Sequence, residues 1–266
     1  MHLETATMID IGANLSHESF RDDFDAVINR AKQAKIEKLI LTGTDVDSNQ
    51  RAIDLCQLYP EYLFSTVGLH PHEASSFNAE IKSILREQAS YTCVKSLGET
   101  GLDFNRNFSS PKDQEHAFIE QLVLALELQM PLFLHQRDAH ERFLPILKEF
   151  RDQLGNLVVH CFTGTKDELF DYLDMDLYIG ITGWVCDERR GYSLHPLLKE
   201  IPENRLMLET DAPYLMPRNI KPKPKTRRNE PANLSYILTK VSEFLEKNPE
   251  SVAKQTSNNA RDFFAL

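Results

Sequence analysis

The feature that most constrains this chain is an alternation kept up along its whole length. Short apolar runs, each too short for a typical helix, are separated by stretches with 3.6-residue apolar spacing. Eight runs can be counted, at 8–13, 38–42, 63–67, 93–97, 131–134, 157–159, 177–181 and 205–208. Between them, Ala52, Leu55, Cys56 and Tyr59 mark one helix face, and Leu234, Ile237, Leu238, Val241 and Leu245 another. Repeated strand–helix units imply a parallel sheet, because parallel strands must be joined by long crossovers. Eight of them predict an α/β fold of the (β/α)8, or TIM, barrel type. At 266 residues and 41% apolar content the chain has the length of one such barrel, so residues 1–266 are expected to form a single domain. A helix near 138–150 contains Pro145, so it either kinks there or starts later, and a last helix is expected over roughly 249–264.

Charge and cysteine usage narrow the function. The formal net charge of −10 argues against a broad electrostatic grip on duplex DNA, so any polyanion must be held locally. Cys56, Cys93, Cys161 and Cys186 are scattered with no CxxC pair, which argues against a disulfide framework and a thiolate zinc site. Residues 1–7 lack a basic and an apolar leader region, and no apolar run is long enough to span a bilayer. The expectation is a cytoplasmic protein with no membrane partner. One segment inverts the overall sign. Between Pro213 and Pro231, five prolines exclude regular structure and predict a long ordered loop carrying Arg218, Lys221, Lys223, Lys225, Arg227 and Arg228. With these six cations set aside, the remainder of the chain stands near −16.

Chemistry-bearing residues fall just past the strand candidates. His70 and His72 follow the third, Glu99 the fourth, His135 the fifth, His160 the sixth, and Glu209 and Asp211 the eighth. Barrel enzymes assemble their active sites at this C-terminal face. Histidine and carboxylate side chains converging from several strands suit a divalent metal, which polarises a phosphoryl oxygen and lowers the pKa of a water. Cys161 reads as packing. Trp184, the only tryptophan, either offers a face for base stacking beside Arg189 and Arg190 or fills space beneath a loop. The basic loop is either a solvated connection or, as favoured by its place after Asp211, a phosphate-binding element.

These residues belong to motifs with a resemblance. Gly68-Leu69-His70-Pro71-His72, Gly98-Glu99-Thr100-Gly101-Leu102-Asp103-Phe104, His135-Gln136-Arg137, His160-Cys161-Phe162-Thr163-Gly164 and Glu209-Thr210-Asp211-Ala212-Pro213-Tyr214 together resemble the TatD-type metal-dependent deoxyribonucleases over nearly the whole chain. The stretches 179–191 and 228–232 point to the TatD branch. The resemblance implies an amidohydrolase-like barrel and a magnesium-dependent exonuclease, with manganese as the alternative ion, that degrades single-stranded DNA and RNA from the 3′ end. It implies Glu99, His135 and His160 as metal ligands, Asp211 as a further metal-side carboxylate or general base, and His70 and His72 lining the phosphate. Arg137, Trp184, Arg227 and Arg228 complete the expected substrate contacts. One departure stands out: where most of the family has a His-x-His pair on the first strand, this chain has Gly12 and Asn14. A full two-metal site is therefore not expected.

The expected partners are thus single-stranded DNA and RNA as substrate, acted on by a monomer. Two rivals remain: an amidohydrolase for a small molecule, for which six loop cations have no use, and a non-catalytic binding protein, against which Glu99, His135, His160 and Asp211 stand together. Neutralising Lys221, Lys223, Lys225, Arg227 and Arg228 together is expected to weaken oligonucleotide binding and flatten the slope of log affinity against log salt. An unchanged slope would remove the loop from the substrate path.

Overall fold

The computed structural model describes residues 7–266; residues 1–6, part of the segment on which the leader reading rests, lie outside it. The strands are β1 (Met8–Ala13), β2 (Ile36–Leu41), β3 (Leu63–Val67), β4 (Val94–Asp103), β5 (Leu132–Arg137), β6 (Leu157–Val159), β7 (Tyr178–Ile181) and β8 (Leu206–Leu208). They form one sheet in that order. The pairs β3–β4, β4–β5, β5–β6 and β7–β8 are parallel, and a parallel bridge from Ala13 to Ala212 joins the end of β1 to the chain beyond β8. This is the topology of the (β/α)8 barrel.

Helices α1 (Phe24–Gln33), α2 (Val46–Leu58), α3 (Ala79–Gln88), α4 (Pro111–Leu128), α5 (His140–Phe150) and α6 (Lys166–Asp174) supply the first six crossovers. Their starts are legible in local chemistry. Asp45 and Ser48 form a capping box on α2, and Ser110 caps α4 ahead of Pro111. Helix α5 begins at His140, later than its apolar pattern, and continues through Pro145. Between β7 and β8 the crossover consists of 3-10 turns, Gly183–Cys186, Pro196–Glu200 and Glu203–Arg205. Pro196 and Pro202 interrupt any longer helical run there. Helices α7 (Leu234–Leu245) and α8 (Pro249–Phe264) end the chain.

Two strands outrun the sequence expectation. The fourth and fifth runs were expected to stop at 97 and 134, because a glycine and polar side chains follow. Instead pairing resumes after an irregularity between Leu97 and Thr100 and continues through Gly101↔His135 to Asp103↔Arg137. Glu99 and His135 therefore lie within strands, not beyond them.

The chain falls into two compact units. The first holds residues up to 40, 161–166 and 179–266. In it the ends of β1 and the segment after β8 are tied by Asp211 N to Gly12 O (2.8 Å) and Asn14 N to Ala212 O (2.6 Å). Buried Asp10 accepts from Thr210 N (2.9 Å) and Thr210 Oγ1 (2.6 Å). At the opposite strand ends, Asn259 of α8 donates to the carbonyls of Glu203 and Leu206, both at 2.7 Å.

The second unit, 41–160 with 167–178, is organised by buried amides. Gln121 of α4 grips both backbone groups of Leu69, and Gln114, two turns earlier on the same face, grips both of Asp103. Asn49 of α2 does the same for Gly68. A buried backbone group without such a partner would cost about 1–3 kcal/mol, so these amides fix the strand ends on which the polar residues sit. Among the described residues no helix is long and apolar enough to cross a membrane.

The proline-rich loop runs from Pro213 to Glu230 without helix or strand, as expected, and ends at a 3-10 turn, Pro231–Asn233. Lys221, Lys223, Lys225 and Arg227 are exposed on it. Arg228, grouped with them as a substrate contact, has its guanidinium engaged elsewhere. It donates to both oxygens of Asp23 at 2.7 Å and to Glu230 at 2.8 Å, and Arg30 completes the set through Glu230 at 2.7 Å. Hydrogen bonding from Arg228 holds the Asp23 carboxyl low, at about 2. A carboxylate lowered on folding contributes stability above its unfolded pKa and loses it as the pH falls through the folded one. Arg228→Ala should lose about 1–2 kcal/mol at neutral pH, and the deficit should shrink between pH about 4 and about 2. Urea unfolding at several pH values measures this, and a pH-independent deficit would contradict it.

Candidate metal centre

The site starts from the pleat of β4. Residues two apart on a strand share a face, so Glu99, Gly101 and Asp103 point the same way. Gly98 and Gly101 have φ of +135° and +147°. A Cβ at Gly101 would stand 1.9 Å from the His135 carbonyl oxygen, so only glycine lets β4 approach β5 this closely. Glu99 N donates to Gly43 O at 2.7 Å. The carboxylate, 7% exposed, is thereby fixed among imidazoles.

Glu99 Oε1 lies 2.6 Å from His135 Nδ1, 2.7 Å from His160 Nε2 and 3.4 Å from His70 Nε2. His135 Nδ1 and His160 Nε2 are 3.4 Å apart. The His160 ring rests against Phe133 at 4.7 Å between centroids. A second carboxylate, Asp103, is 2.9 Å from His72 Nε2 and 3.4 Å from His135 Nε2. Its other oxygen accepts from Asn105 N and Arg106 N.

Burial works against the Glu99 charge, but the fields of His160 and His70 and the hydrogen bonds of His135 and His160 outweigh it and hold the carboxyl well below its usual range. Asp103 is also lowered: burial is overcome by His135, the Arg106 amide and His72. Burial alone would lower His135, yet Asp103 and Glu99 raise it. For His70 burial wins over Glu99 and the pKa falls to about 4, so its ring is neutral at neutral pH. Because His72 N donates to His70 Nδ1 at 3.1 Å, the proton of that neutral ring belongs on Nε2.

A divalent cation fits this donor set. His135 Nε2 is buried and makes no well-formed hydrogen bond, its nearest carboxylate oxygen, on Asp103, standing 3.4 Å away. Ligand atoms of His70, Glu99 and His135 lie within 4.8 Å of one another, and His160 shares the same Glu99 oxygen. Imidazole and carboxylate ligands without thiolate suit a borderline or hard divalent ion.

The remaining expected residues are placed as follows. Arg137 is exposed at the end of β5. In the first unit, Asp211 adopts a left-handed conformation (φ 52°), and Asn14 donates to its Oδ1 at 3.0 Å. The amide standing where the family places an imidazole thus has a partner. Glu209, fully buried, accepts from Cys161 N at 2.5 Å, which gives that carboxylate a backbone-holding role. Trp184 is half-buried; its indole N–H donates to Arg190 O, and the Arg190 guanidinium lies over its ring at 4.3 Å. Asp187 gathers Arg190 and Arg218 at 2.9 and 3.0 Å. The structure thus brings together Glu99, His135, His160 and His70, and adds His72 through Asp103. Asp103 lies in the same motif as Glu99, and its period-two spacing from Glu99 is the sequence signal that marks it.

A (β/α)8 fold with a buried carboxylate ringed by imidazoles at its strand ends defines a hydrolase with a divalent-metal centre. A family model described as TatD related DNase matches residues 9–265, and the chain belongs to that family. It is 49% identical over 259 residues to a protein of Pectobacterium parmentieri and 50% identical over 259 residues to one of Pectobacterium atrosepticum, both named 3'-5' ssDNA/RNA exonuclease TatD. Each match covers 97% of this chain and 100% of the relative. Among solved structures, a hydrolase TatD family protein from Entamoeba histolytica superposes with a TM-score of 0.89 at 26% identity, covering 98% of this chain and 99% of that one. The protein is a hydrolytic enzyme of the nuclease type.

Elemental analysis of purified protein is expected to find about one tightly held divalent ion per chain, its binding linked to release of the proton on His135. His135→Ala or His160→Ala should abolish it. Two tight ions in the parent protein would contradict the expectation drawn from Gly12 and Asn14.

Proposed function

We propose that this enzyme is a magnesium-dependent 3′–5′ exonuclease of single-stranded DNA and RNA, acting in the cytoplasm as a monomer. The observation that carries the reading is identity near one half, over 97% of the chain, to proteins named for that activity. The donor chemistry of the Glu99 cluster supports it.

In this reading Glu99, His135 and His160 hold the ion, which when bound polarises a phosphoryl oxygen and acidifies water. Asp211 accepts the proton of the attacking water, oriented for this by the Asn14 amide. His70 and His72 line the substrate phosphate. Arg137, Arg227 and the exposed loop lysines hold the backbone of the strand, and Trp184 offers a stacking face beside Arg190. Arg228 serves the substrate indirectly, by anchoring the end of the loop that carries those cations.

A 5′-labelled single-stranded oligonucleotide with added magnesium should shorten progressively from its 3′ end, a duplex should resist, and a chelator should stop the reaction. Asp211→Asn should lower turnover by about 10²–10⁴-fold, the usual worth of a general base, while keeping the tight ion. Preference for duplex or internal cutting, or full activity of Asp211→Asn, would overturn the reading.

A further inference from the structure

Phe108 is out of place for a phenylalanine. Its side chain is 68% exposed, yet its neighbour Ser109 is 2% exposed. The exposure is built in, because the backbone on both sides is held down. Ser109 Oγ donates to His72 O at 2.8 Å and accepts from Ser75 N at 2.9 Å, and Gln114 of α4 donates to Ser109 O at 2.9 Å. On the other side, Asn107 adopts a left-handed turn (φ 49°) and its side chain donates to Phe104 O at 2.7 Å. Residues 105 and 106 are bound to Asp103. An apolar ring held outward on an anchored loop gains nothing for the fold from water, and its ordering cost has already been met by the loop.

The ring also stands beside the reacting groups. It meets His72 edge-on, with centroids 4.8 Å apart and planes at 86°. His72 contacts Asp103, and Asp103 faces His135. Arg137, exposed at the end of β5, receives the Phe104 amide on its carbonyl at 2.9 Å, so a cation flanks the same loop.

We infer that Phe108 is a substrate-stacking residue, taking the face of the nucleobase next to the scissile phosphate of a single strand. The inference rests on the nuclease reading above. Stacking accepts any base, because every base has a π-face, and a paired duplex end cannot offer a splayed base to the ring. Phe108 thereby favours single strands without reading their sequence.

The test couples a protein change to a substrate change. Phe108→Ala, Phe108→Leu and Phe108→Trp are compared with the parent enzyme on single-stranded decanucleotides whose two 3′-terminal residues are either ordinary or abasic. On ordinary substrate Phe108→Ala should raise KM about tenfold, the worth of about one base stack, with the loss falling on KM and not on kcat. Phe108→Leu, which keeps bulk but has no π-face, should also lose, while Phe108→Trp should retain parental KM. Abasic ends should cost the parent enzyme a similar factor and cost Phe108→Ala almost nothing more. Equal losses for Phe108→Ala on both substrates, or a normal KM, would overturn the stacking role while leaving the nuclease reading intact. A parent enzyme that cuts neither substrate would overturn the nuclease reading and this inference with it. Thermal melting separates folding defects from binding: a variant that melts like the parent yet lacks the coupling to base removal is a clear refutation.

Discussion

One buried carboxylate sets the terms for the site. Glu99 is 7% exposed, and an ionised group taken that far from water carries a penalty of several kcal/mol unless opposite charge and hydrogen bonds surround it. Here the compensation comes from nitrogen atoms of His135 and His160 at 2.6 and 2.7 Å and of His70 at 3.4 Å. The same requirement that makes the fold tolerate Glu99 therefore assembles the ligand set. Asp103 repeats the arrangement one face-position further along β4, with His72 and His135 as its partners. His135 is shared between the two carboxylates, which raises its pKa and makes proton and metal compete for one ring.

Such a cluster is useful only if it is rigid. The backbones that carry it are held by buried side-chain amides: Asn49 on Gly68, Gln121 on Leu69 and Gln114 on Asp103. Each bridges a helix to a strand end, and each uses its donor and its acceptor. His70, directly after Gly68 and Leu69, thus inherits its position from α2 and α4.

Much of this was legible in the sequence, and what was not has physical reasons. β1, β3 and β6 coincide with their apolar runs, and their residues are buried almost throughout. β4 and β5 outran theirs because the functional residues replace apolar ones inside the strand, erasing the pattern where function begins. Glu99, His135 and His160 were visible as polar residues after apolar runs, whereas Asp103 lay beyond the expected strand and so lost its face. The basic loop was legible as composition. Its division was not: Lys221, Lys223, Lys225 and Arg227 face water while Arg228 is locked to Asp23, a partner about two hundred positions away that no local pattern announces.

That separation bears on how the chain is made. Asp10, wholly buried, takes its two shortest hydrogen bonds from Thr210, with the Gly12 amide as a third donor, and the end of β1 is closed by Asp211 and Ala212. A ribosome releases β1 about two hundred residues ahead of these partners. Until then the first strand leaves the exit tunnel with a lone carboxylate and an unpaired edge, and contacts of such long range form slowly. The nascent amino-terminal segment must stay solvated or shielded while the 41–160 unit, whose partners are nearer in sequence, is free to condense. Arg30, Asp23 and Arg228 then meet only after the proline-rich loop has emerged.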